Sequence, residues 1–162
     1  MCMKALQHIE LFAGIGPDGK PFVERLRVRE LDNGDLQLVQ SPAFIKGVAS
    51  GDMIRLGPDK TQFELVQRSG NLSIRVFSRG DTAALANQLT GELEKLGGEL
   101  DTETPRMLVY SIHVSCGFQA IEAILNRIVG PDEDSAWLYG NVYDPTDGTT
   151  PLNWWQDVLQ PE

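Results

Sequence analysis

The run Ile112-His113-Val114-Ser115-Cys116-Gly117-Phe118 sets a thiol three residues after an imidazole, at the start of a segment with helical periodicity. A helix N-terminus favours the thiolate and a nearby imidazole can take its proton, so these residue types would support attack by a cysteine nucleophile. Two points oppose it. A free cysteine is commonly a small buried hydrophobe, and alternation along the preceding strand turns His113 toward the sheet face rather than toward Cys116. The sequence leans away from an enzyme and leaves Cys116 and His113 as its catalytic candidates. Zinc fits worse, because Cys2, His8, His113 and Cys116 are the only residues of these types and lack the short paired spacings of a metal site. No cofactor motif survives inspection either. Gly14-Ile15-Gly16-Pro17-Asp18-Gly19 matches a dinucleotide fingerprint literally, but turn residues and then a strand follow it where a helix is required. Asp147-Gly148 lacks the alternating ligands of a calcium loop.

The elements that would carry these residues follow from periodicity. Leu72 to Phe77 alternates as a strand. Asp81 caps a helix in which Leu85, Leu89, Leu93 and Leu96 share a stripe, ending at Gly97-Gly98. Glu99 to Glu103 and Met107 to Val114 form a hairpin through Thr104-Pro105. A second helix carries Phe118, Ile121, Ile124, Leu125 and Ile128 and stops at Gly130-Pro131, and Ala136 to Tyr143 closes as a strand. The order βαββαβ over residues 71–143 predicts a ferredoxin-like half, a four-stranded antiparallel sheet backed by two helices.

Residues 1–70 read as short strands, Lys4 to Phe12 first, parted by turns. Around Asp32-Asn33-Gly34, a three-residue loop with a left-handed Gly34 pairs Val28 with Leu38. That register buries Leu26, Val28, Leu36 and Leu38 together and leaves Arg25, Arg27 and Arg29 outside. The expectation is a small, partly open, barrel-like half. Residues 144–162 form a tail in which Trp154, Trp155 and Leu159 pack on the body. The fold class is thus α+β.

Ser50-Gly51-Asp52-Met53-Ile54 and Arg68-Ser69-Gly70-Asn71-Leu72-Ser73-Ile74-Arg75-Val76, with the Leu108 to His113 strand and Trp137-Leu138-Tyr139, resemble a family of small bacterial domains of unknown function. Asn71 departs from that pattern, which tends to carry histidine there. The resemblance implies a cytoplasmic bacterial protein and transfers no catalytic residue.

Composition agrees with an ordinary globule: 162 residues, 41% hydrophobic, 23% charged, net charge −9. No apolar run is long enough to span a membrane, and the first residues do not read as a signal peptide, so a cytoplasmic protein is expected. Residues 1–70 carry nine bases and nine acids, whereas residues 71–162 carry five against fourteen. That acidic half repels phosphate backbones and attracts basic partners.

The helices cover one face of the four-stranded sheet. Counting alternate residues, the other face shows Ser73, Arg75 and Phe77; Glu99, Asp101 and Glu103; Val109, Ser111 and His113; Trp137, Tyr139 and Asn141. Its carboxylates and lack of a stacking signature argue against nucleic acid. The N-terminal half or a second copy would cover it, with a small-ligand cleft at the margin formed by Arg75, His113, Trp137 and Tyr139. Three readings remain open: a non-enzymatic module binding a basic protein partner in the manner of an antitoxin or immunity protein; a small-ligand sensor or cysteine-dependent enzyme near His113 and Cys116; and a structural subunit of a homodimer.

Overall fold

The computed structural model describes residues 6–131 and 134–159, so Cys2 and Lys4 lie outside the described residues. It is a mixed α+β protein built from two mostly antiparallel sheets and few helices.

The first sheet runs in sequence order: β1 (Leu6–Ile15), β2 (Pro21–Glu30), β3 (Leu36–Leu38), β4 (Met53–Leu56) and β5 (Phe63–Gln67). Gly16 to Lys20 is the tight turn between β1 and β2, with the Gly16 and Gly19 amides both bonded within it, which is why the glycine run there is a hairpin and no nucleotide loop. At the next turn, Val28 pairs with Leu38 and Gly34 has φ 91°. The three-residue loop is therefore the observed one, and Leu26, Val28, Leu36 and Leu38 are buried as expected. Each such side chain stabilises by about 1.5–3 kcal/mol. The sheet is not a closed barrel. β1 and β5 are its edges, and among the described residues one backbone bond, Phe12 N–H to Thr61 O at 2.8 Å, approaches across the gap.

The second sheet has the order β7-β8-β6-β9, from β6 (Asn71–Ser78), β7 (Glu99–Glu103), β8 (Met107–His113) and β9 (Ser135–Tyr139). Helix α1 (Thr82–Glu94) follows β6. Asp81 caps it through the Ala83 amide, and it ends where Gly97, at φ 90°, lets the Gly98 amide return to Leu93 O. Helix α2 (Phe118–Ile128) follows β8 and a short 3-10 turn at Val114–Cys116. Leu89, Leu93, Ile121 and Leu125 pack on Leu72, Ile74 and Val76 of β6 and on Leu108, Tyr110 and Ile112 of β8, so both helices share one face. Trp154, Trp155 and Val158, the last two in α3 (Trp155–Leu159), close the end of this core, whereas Leu159 is exposed rather than docked.

Two expectations about the opposite face need correction. In β9, Trp137 pairs with Val76 and Tyr139 with Ile74, so both aromatic rings lie on the helix face, where Trp137 Nε1 donates to Asn126 and Tyr139 OH to Glu122. In β7, a bulge between Leu100 and Thr102 puts Glu103 opposite Leu108, on the helix side, and frees Asp101 to reach the other half. The centre of that face is covered by the loop after β3, while Phe77 and Glu99 at its margins stay exposed. Ser73, Arg75 and Ser111 are buried, Ser41 Oγ lies 2.5 Å from Ser111 Oγ, and Arg75 donates to Ile45 O.

Candidate functional site

The seam between the halves is made of the same segments that stand out in the sequence. Asp52, buried, accepts from the Ala49 amide (2.9 Å), the Ser69 amide (2.8 Å) and the Ser69 hydroxyl (3.0 Å). Ser50 O takes Ser69 Oγ and Asn71 Nδ2. Gly51 has φ 86°, and a Cβ there would lie 2.8 Å from Ser69 Cβ, so only glycine permits the approach. Further along the seam, the half-buried Asp101 accepts from Ser111 Oγ and from the Ser41 amide (2.8 Å). Burial raises the pKa of Asp52 and of Asp101, and the hydrogen bonds each receives oppose this.

At one end of the seam a cleft of about 400 Å³ opens between Lys46, Arg75, Phe77, Leu138, Tyr143 and Asp144. β6 supplies Arg75 and Phe77, β9 supplies Leu138, the loop after β3 supplies Lys46, and the loop after β9 supplies the rest. Arg75 is 3% exposed. Its Nη2 donates to Ile45 O, its Nε is sealed against Gly140 without an acceptor, and its Nη1 has no acceptor among the described residues. Glu24 does not supply one: its carboxylate takes the amides of Ala43 (2.6 Å), Phe44 (2.9 Å) and Ile45 (3.0 Å). Burial lowers the pKa of Arg75 and the Glu24 charge opposes it; a guanidinium remains protonated in any case. Asp144 turns one oxygen inward to the Thr146 amide.

Of the residues singled out as ligand-binding, Arg75 lines this cleft, and Tyr139 borders it while its ring lies on the helix face beside Trp137. Trp137 sits on the other side of the sheet, and His113 is four residues from Arg75 along the ladder, opposite Asn71, with its ring against Gly70. His113 Nδ1 meets Ser115 Oγ at 2.8 Å, while Cys116 Sγ donates to Leu96 O at 2.8 Å and packs on the helix-side core. Thiol and imidazole are thus engaged separately, and Arg75, His113, Cys116 and Trp137 do not converge.

Lys46, Tyr143 and Glu24 were not picked out by sequence. They come from three separated segments with no shared spacing; the lone signal was an arginine on the alternation of β6 that faces no acid on its own strand.

A family model described as a domain of unknown function (DUF4265) matches residues 24–136. Among solved structures, a hypothetical protein from Neisseria gonorrhoeae is similar in fold, with a TM-score of 0.64 and 15% sequence identity, covering 86% of this chain and 96% of that one. No curated protein matches.

Proposed function

The chain belongs to the DUF4265 family, a domain of unknown function, and on that footing we propose that it is a non-enzymatic binding module whose cleft between the halves takes a small oxyanion-bearing ligand. The observation that carries this reading is Arg75, a buried guanidinium in the lining of a cleft, with one amino group unused and no carboxylate bonded to it among the described residues. Burying a cation without its anion is costly, and the ligand would offset that. Lys46 adds a second positive charge, while Phe77, Leu138 and Tyr143 give an apolar body somewhere to rest. Asp144, across the cleft, disfavours multiply charged anions, so a monocarboxylate fits better than a phosphate. A cleft of this size at a boundary between halves is where small-ligand sites usually lie.

Calorimetric titration with acetate, butyrate, hexanoate and phenylacetate, and with phosphate for comparison, tests it. Saturable binding that strengthens with the apolar body and is lost in Arg75→Met is expected. Binding that persists in Arg75→Met, or none across the series, ends the reading.

A second reading has its own observation. Residues 71–162 hold all of the net negative charge, which supports a basic protein partner in the antitoxin or immunity manner. Such binding would weaken steeply with added salt; affinity unchanged between low and high salt would remove it. A homodimer would need another surface, because the N-terminal half, through the loop after β3, takes the centre of the sheet face that a second copy would otherwise cover.

In this reading residues 1–70 and 71–143 are a barrel-like and a ferredoxin-like subdomain, with the tail from Asp144 packed on the body through Trp154, Trp155 and Val158. The two separate apolar clusters and the sheet order β7-β8-β6-β9 support it. A bacterial, cytoplasmic setting is what the resemblance to this family implies.

A further inference from the structure

A second cleft lies on the helix side of β9, away from Arg75. It encloses about 190 Å³ and is lined by Phe118, Glu122, Tyr139, Tyr143, Trp155 and neighbouring apolar residues, with no lysine or arginine among them. The rings are set nearly at right angles. Phe118 meets Tyr139 at 5.6 Å and 87°, and meets Trp155 at 5.2 Å and 74°. Edge-to-face contact locks these rings against one another and so fixes the wall they give the cleft. Glu122 contributes a carboxylate whose Oε2 accepts from Tyr139 OH at 2.8 Å, which leaves its other oxygen without a hydrogen-bond partner among the described residues. Drug-sized ligands need clefts of about 300 Å³ or more, so this one suits a small head group.

Aromatic rings, one carboxylate and no competing cation define the chemistry of the occupant. We propose that the Phe118–Tyr139–Tyr143–Trp155 box with Glu122 binds an alkylated ammonium group, as a quaternary amine or a methylated lysine side chain. The same aromatic run already holds one cation at its far end: Trp154 abuts Trp155 at 5.7 Å, and the Arg68 guanidinium stands 5.3 Å from the Trp154 ring centroid. Net charge works in the same direction, since every box residue belongs to the acidic half of the chain. The site does not depend on the Arg75 cleft, although Tyr139 and Tyr143 border both.

The test uses the full chain, indole fluorescence and calorimetry, with choline and its neutral carbon isostere 3,3-dimethylbutanol as probes. A preference for choline of roughly tenfold is expected, because the charge alone separates the two. Glu122→Gln, which keeps an acceptor for Tyr139, should reduce that preference several-fold, and Arg75→Met should leave it intact. A trimethyllysine peptide compared with its unmethylated form decides the source: tighter binding than choline means a protein side chain, weaker binding a free amine. Equal affinity for choline and its isostere, no binding of either choline or the trimethyllysine peptide, or a preference unmoved by Glu122→Gln would overturn the proposal.

Discussion

The Asp52 carboxylate accepts both the amide and the hydroxyl of Ser69, at 2.8 and 3.0 Å, while its second oxygen takes the Ala49 amide at 2.9 Å. One buried side chain thereby satisfies three donors from two loops. Asp52→Asn would turn an NH₂ group onto a backbone N–H on one side or the other, so we expect a loss of about 1–3 kcal/mol, read from the midpoint of urea unfolding.

Acidity should act on the same seam. Asp52 and Asp101 have pKa values raised above the usual carboxylate range, chiefly by burial, so the folded chain binds these protons more readily than the unfolded one. Their contribution is fully present below the unfolded value, about 4, and is lost as pH rises through the raised folded values. Urea unfolding across pH 4 to 7 should show a shallower decline in Asp101→Asn than in the wild type. A slope identical in both would show that Asp101 does not titrate as the seam requires.

Arg75→Met should cost little stability. The variant leaves Ile45 O without its donor but removes a desolvated guanidinium, and these effects oppose one another within about 2 kcal/mol. Thermal unfolding near that of the wild type, together with lost carboxylate binding, is the expected pair of results.

Gly70 has φ 98°, and a Cβ on it would sit 2.5 Å from His113 Nε2. Gly70→Ala should therefore destabilise by about 2–4 kcal/mol. Adding His113→Ala should restore the part due to the clash and leave the part due to the backbone. A double-mutant cycle that shows no coupling would place the imidazole elsewhere.

Cys116→Ala tests the remaining enzymatic idea. The thiol donates to Leu96 O within the helix-side packing, so the variant should lose about 1 kcal/mol and retain every binding property of the parent.

Much of this architecture was legible in the chain. The leucine stripe after Asp81, the apolar stripe after Gly117 and the Val28–Leu38 register each depend on local periodicity and turn chemistry, which the sequence states directly. The facing of β9 was not legible. Ala136, Trp137, Leu138 and Tyr139 are apolar on both alternations, so pattern could not tell which pair meets the helices; Asn126 and Glu122, waiting on α2 for the indole and the phenol, decided it. The bulge in β7 was hidden for a related reason. Nothing in Glu99 to Glu103 marks where a residue drops out of register, and the demand for a carboxylate comes from Ser41, sixty positions earlier. Arg75 could be placed on its face, but Lys46, Tyr143 and Glu24 enter from distant loops and leave no shared trace.

Asn71 shows why the two sheets cannot be cut apart at residue 70. Beyond the end of β9 the Asn141 side chain takes over the pairing, accepting from the Ser73 amide and donating to Asn71 O, while the Asn141 backbone carbonyl receives the Trp154 indole. Asn71 in turn reaches back to Ser50 O. A protein split at that point would part Ser50 from Asn71, Ser41 from Asp101 and Ser111, and Arg75 from Ile45 O at once, so each fragment would carry stranded polar groups where the intact chain has a sealed joint.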